Sequence, residues 1–149
     1  MNTPALLGVL LLVTVGTGCS SPTESYCGAL EDEKDTLTGL AQSSGEPGGD
    51  MFDDSLTVFE DLRDEAPEDI RDGWDTFVFA WQGVADAFDA AGIGPQDYEP
   101  GATPPGVSED QAQAIEDAAA TLRSARVVEA GKGLEQHARD VCKVDLGLS

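Results

Sequence analysis

Thiols are the side chains whose positions most constrain the chemistry of this sequence. There are three: Cys19 at the end of an apolar run, and Cys27 and Cys142 near opposite ends of the chain beyond it. None belongs to a CxxC pair and no HxxxH spacing accompanies them, which argues against metal ligation. His137 is the sole histidine. Its helical neighbours Leu134 and Ala138, with Glu135, Arg139 and Asp140 nearby, mark a surface or rim position rather than a catalytic base. No serine sits in a GxSxG elbow, since Ser43-Ser44-Gly45 lacks the preceding glycine. Ala130-Gly131-Lys132-Gly133 shares its end with phosphate-binding loops, but Arg126 stands where the first glycine belongs, within a helical pattern. The expectation is therefore no catalytic residues.

Carboxylates are plentiful, 29 acidic residues against 8 basic ones. The clusters Glu31-Asp32-Glu33-Lys34-Asp35, Asp53-Asp54, Glu60-Asp61 and Glu68-Asp69 offer the oxygen ligands calcium takes, yet none follows the EF-hand pattern. Neighbours along a helix point in different directions, so these pairs read as a charged exterior, with no metal site and no cofactor expected. Paired carboxylates of the kind that hydrolyse glycosides arise by chance in so acidic a chain. Trp74, Phe77, Trp81 and Phe88 form a stripe that could line a groove for a lipid, glycan or peptide. The same spacing suits a packed core, the favoured reading in a chain with few other large side chains.

Cys19 closes the segment Ala5-Leu6-Leu7-Gly8-Val9-Leu10-Leu11-Leu12-Val13-Thr14-Val15-Gly16-Thr17-Gly18. Small residues just before a cysteine at the end of a hydrophobic segment resemble a bacterial lipobox, where palmitate-type acyl chains are attached and the leader is removed. The apolar stretch, about ten to fifteen residues, fits a signal-peptide core and falls short of a membrane span. Two departures stand out. Met1-Asn2-Thr3 carries no Lys or Arg, and Gly16 occupies a position usually held by Leu, Val or Ile. The expected division is a signal peptide over 1–18 and one domain over 19–149, with 19–22 a short tether. The expected location is the extracytoplasmic face of the cell membrane, with Cys19 as the lipid anchor.

With Cys19 acylated, Cys27 and Cys142 remain as an even pair in an oxidising compartment, which predicts a disulfide. The pair is 115 positions apart (142 minus 27), so the bridge closes nearly the whole domain. Removal of the leader leaves 131 residues (149 minus 18), enough for one domain with a real core. The formal net charge of −21 excludes phosphate-backbone binding, and with it a nucleic-acid partner. It also holds the body off an anionic bilayer, leaving the lipid as the membrane attachment.

The elements that must position these residues are helical. Ser21-Pro22-Thr23-Glu24 is a capping box opening a helix to about Ser43, with Tyr26/Cys27, Leu30, Leu37, Leu40 and Ala41 inward and Lys34 filling a turn. After the break Gly45-Glu46-Pro47-Gly48-Gly49, a second helix over Asp50 to Glu65 carries Phe52, Leu56, Phe59 and Leu62. A third, from Pro67, is the most apolar, with Ile70, Trp74, Phe77, Val78, Trp81, Val84, Ala85 and Phe88 on one face, and should form the centre. Gly92 to Pro95 ends it, and Asp97 to Gly106 is loop. Ser108-Glu109-Asp110-Gln111 caps a fourth helix bearing Ala112, Ile115, Ala118/Ala119 and Leu122. The register resets near Ser124, and a last helix over Ala125 to Lys143 buries Val127, Ala130, Leu134, Ala138 and Val141/Cys142. No period-two run appears, so the predicted fold is all-α, an antiparallel bundle of four or five helices with its first and last helices tied by the disulfide.

Ser25-Tyr26-Cys27, Asp64-Glu65-Ala66-Pro67-Glu68-Asp69-Ile70-Arg71-Asp72 and Ala138-Arg139-Asp140-Val141-Cys142 carry a resemblance to small uncharacterised acidic lipoproteins of actinobacteria. That resemblance implies a helical extracytoplasmic domain and supplies no catalytic residues. The functional expectation is a membrane-anchored lipoprotein with a non-enzymatic binding or structural role, meeting a protein or small-ligand partner. The alternative is a cell-envelope hydrolase or metal-dependent enzyme using surface carboxylates. Convergent carboxylates in a deep pocket favour the latter, and a filled bundle the former.

Overall fold

The computed structural model describes residues 21–42 and 49–146. The leader, Cys19 and the break at Gly45-Glu46-Pro47-Gly48 lie outside the described residues. Six helices occupy the described chain: α1 (Pro22–Asp32), α2 (Lys34–Gln42), α3 (Gly49–Glu65), α4 (Glu68–Ala91), α5 (Glu109–Leu122) and α6 (Ala125–His137). No strand occurs among the described residues.

The predicted first helix is two. α1 opens on the expected capping box: the Glu24 amide donates to Ser21 Oγ and the Ser21 amide to Glu24 Oε2. It ends at Glu33, and α2 starts at once. Lys34 is exposed rather than filling the turn between Leu30 and Leu37. With no apolar residue there to hold the stripe inward, the bend at Glu33 re-aims the chain so that Leu37 reaches the same core as Tyr26 and Leu30.

α4 is the central helix. Phe52 packs on Trp81 and Phe88, with ring centroids 5.2 and 6.4 Å apart, whereas Phe59 packs on Trp74 and Phe77 at 6.3 and 5.1 Å. Advance along α3 is thus retreat along α4, as the short Ala66-Pro67 link requires of antiparallel neighbours. On another flank Gln111 Nε2 donates to the Ala90 carbonyl, Gly131 faces Phe77, and His137 lies beside Asp69. α5 and α6 therefore run end to end, both antiparallel to α4. At about 1.5 Å per residue the 24 residues of α4 span about 36 Å, more than the 14 of α5 can cover. Ser124 caps the second segment, at the expected reset of register.

α4 ends where expected, at Gly92 in the left-handed region (φ 70°), a conformation that favours glycine. The last helix departs from expectation. α6 stops at His137 and the chain continues as a π-helical turn, Ala138–Cys142, whose closing amide at Lys143 donates to the Ala138 carbonyl. Lys143 is left-handed (φ 61°), and the Val144 amide returns to the same carbonyl at 2.9 Å. The widened turn rotates Val141 outward, 47% exposed, and brings Val144 and Leu146 into the core in its place. Cys142 bonds to Cys27 with a Cα separation of 5.0 Å, joining the chain's end to α1.

Candidate functional site

Two aromatic clusters share the long axis of α4. One gathers Tyr26, Phe59, Trp74 and Val78 near the bridged end, and the other Phe52, Val84, Phe88 and Ile115 towards the far end. Trp81 touches both, with ring centroids 5.1 Å from Phe59 and 5.2 Å from Phe52. The first cluster does not close. A cavity of about 360 Å³ remains between α4 and α6, walled by Trp74, Phe77 and Trp81 from α4, Phe59 from α3, and Tyr26 and Leu30 from α1. Leu122, Val127, Gly131 and Leu134 form the facing wall, Leu37 and Leu146 contribute below, and Val128, Lys132 and Glu135 complete the lining.

Its cause is local. Between Leu122 and Ala125 the helix breaks, so no regular turn packs across this part of α4. Nearly two turns into α6, Gly131 presents no side chain to Phe77, whose ring lies 3.5 Å from where a Cβ would be. Interiors otherwise close to a packing density that leaves few voids larger than water.

The polar groups around this space are mostly donors. Trp74 Nε1 donates to the Tyr26 hydroxyl at 3.1 Å, both groups buried. Burial pushes the Tyr26 phenol up to about 12, partly offset by that hydrogen bond. Trp81 Nε1 is buried and meets no acceptor among the described residues. Lys132 is exposed and forms no ion pair among them. Glu135, expected on the solvated face, is instead 6% exposed, and its Oε1 accepts from Arg139 Nη1 at 3.1 Å.

Of the four aromatic residues proposed for a groove, Trp74, Phe77 and Trp81 share the cavity, whereas Phe88 sits in the second cluster against Phe52 and Tyr98. The stripe is legible from helical spacing; the partners Tyr26, Phe59 and Gly131 come from distant segments and carry no local signal. His137 is more enclosed than its neighbours suggest. Its side chain is 9% exposed, edge-on to Tyr26 at 5.7 Å, with Nε2 3.8 Å from Asp69 and Nδ1 buried without a described partner.

The acidic residues gather elsewhere. Asp53 and Glu60 of α3 and Asp86 and Asp89 of α4 edge an open groove of about 420 Å³, where Gln82 Nε2 donates to Glu60 Oε1 at 2.6 Å. Among the described residues no three His, Cys, Asp or Glu side chains are grouped to hold a metal ion. At the far end the Tyr98 hydroxyl and the Gly101 amide both donate to Glu116 Oε1, pinning the long loop to α5. Those two bonds lower Glu116, while desolvation, then its bond to Glu116, pushes Tyr98 up to about 12. Among the described residues no helix is long and apolar enough to cross a membrane. No protein-family model, curated protein or solved structure matches this chain.

Proposed function

We propose that this chain is a membrane-anchored extracytoplasmic lipoprotein, held by acyl chains on Cys19, whose helical body has a non-enzymatic binding role. The observation that carries the reading is the Cys27–Cys142 bridge. Such bonds persist in oxidising compartments, outside the cytoplasm. Cys27 follows Cys19 by eight positions (27 minus 19), and α1 begins three positions after it (22 minus 19). A lipid on Cys19 then holds the bridged end of the bundle close to the bilayer. The binding role is supported by the apolar cavity at that same end, of a size used by small-molecule sites.

The test is fractionation with intact-mass analysis. Membrane-extracted protein should begin at Cys19 with two or three acyl chains, and Cys19→Ala should leave the membrane fraction. Full-length chain in the cytosol with reduced thiols overturns the reading.

A further inference from the structure

We propose that the exposed Phe79 ring of one copy of this chain seats in the cavity between α4 and α6 of a second copy, joining tethered copies head to tail along the membrane. The inference names the partner for the binding role above and rests on that role.

Both halves of the contact stand on one chain. Phe79 is 74% exposed on α4. The cavity, about 360 Å³, is larger than one phenylalanine side chain, and it opens at Val128 and Lys132, both exposed on α6. Apolar cavities take aromatic guests. A benzyl ring asks for no hydrogen bond, so it suits walls of Phe59, Phe77 and Trp81 and leaves Glu135 to Arg139. No copy can fill its own cavity. Phe79 stands two positions from Phe77 on one helix, about 200° around its axis, so its ring points away from the wall that Phe77 forms.

Charge selects a second copy as the occupant. Asp72, Asp75 and Asp86, all exposed, surround Phe79 on the helix surface at one and two turns, and none joins an ion pair among the described residues. The opposite sign gathers beside the cavity. Positions 123–143 hold five of the eight basic residues, Arg123, Arg126, Lys132, Arg139 and Lys143, against the three acids Glu129, Glu135 and Asp140. That segment is net +2 (5 minus 3), which leaves −23 on the rest of a chain of net charge −21 (−21 minus 2). A ring edged by carboxylates thus matches an apolar socket edged by cations, and the same sequence supplies both. Repulsion between whole acidic bodies is screened beyond about 8 Å at physiological ionic strength, so the signs at the contact decide. The tether supplies the arrangement. Phe79 lies about 3 Å along the axis from both Phe77 and Trp81, so ring and socket share one level of α4. Copies held at Cys19 share one height and one way up, and a contact between two different patches at one level joins them side by side.

The test is photo-crosslinking of the full chain in cells. A donor copy carries p-benzoyl-phenylalanine in place of Phe79, and a receiving copy carries a different tag. Light should join the two tags, with the new bond on a cavity-wall residue of the receiving copy, as peptide mapping reads it. Gly131→Leu, which puts a side chain into the space before Phe77, should abolish the adduct when the receiving copy carries it and leave the yield unchanged when only the donor does. That asymmetry is the mark of a head-to-tail contact. Lys132→Glu in the receiving copy should lower the yield by up to about fivefold, the size of an exposed charge interaction, and Asp75→Lys in the donor should restore it. Bonds to lipid or other proteins alone, bonds to another part of the receiving copy, or equal loss from Gly131→Leu in either copy overturns the proposal. Should Gly131→Leu fail to fold, the charge reversal decides alone, and absence of rescue by Asp75→Lys overturns it. An acylated chain that gives no such adduct sinks this contact and spares the anchoring, whereas an unacylated chain that gives it does the reverse.

Discussion

Removing the Cys27–Cys142 bridge should destabilise the fold more than any other single covalent change. The bond closes a loop of sequence separation 115. Chain-entropy reasoning assigns such a closure an entropy near −16 cal/mol/K, or about 4.8 kcal/mol at 25 °C. Unfolding a domain of about 130 residues carries an entropy near 0.27 kcal/mol/K at its midpoint, so the same free energy corresponds to about 18 °C in Tm. Ala138, Val144 and Leu146 still pack on the core around the missing bridge, so the lower part of the expected range applies if they hold this end in place. The assay is calorimetry of the oxidised protein against the Cys27→Ala/Cys142→Ala double variant, with helicity checked by circular dichroism. A fall of about 12–20 °C (about 3–5 kcal/mol) is expected. A change under about 4 °C, with the native helical signal retained, would refute the entropic account and mean that packing alone holds α1 to the chain's end.

Tyr26→Phe removes the acceptor of Trp74 Nε1 and strands a buried donor, so equilibrium unfolding should show a loss of about 1–3 kcal/mol with an unchanged denaturant slope. Both tyrosines are raised to about 12, so stability they confer is complete below their ordinary pKa near 10 and lost as pH climbs through 12. Absorbance titration should therefore find almost no tyrosinate at about pH 10.5, and Glu116→Gln should lower the Tyr98 midpoint while Tyr26 keeps its own. Gly83 and Gly133 lie inside α4 and α6 with open space where a Cβ would stand, so Gly83→Ala and Gly133→Ala should each stabilise by about 0.5–1 kcal/mol in denaturant melts.

Local rules locate most helix boundaries because the signals are chemical and short-range. Ser21 and Ser108 cap through residues three positions on, and Gly92 supplies the left-handed turn. Reading Cys19 as a lipid-attachment site leaves Cys27 and Cys142 as the expected pair, and these two are bonded. Features that depend on distant packing stay hidden. The bend at Glu33 is set by where Leu37 must go, and the π turn at Ala138 by the return of Val144 and Leu146 to a core built from other segments. Glu135 reads as solvated from its neighbours, yet it is buried with its Oε1 taken by Arg139, a placement its local sequence does not signal. Phe88 obeys the same helical spacing as Trp81 and still belongs to a different cluster, because α5 covers it while the helix break leaves part of α4 open.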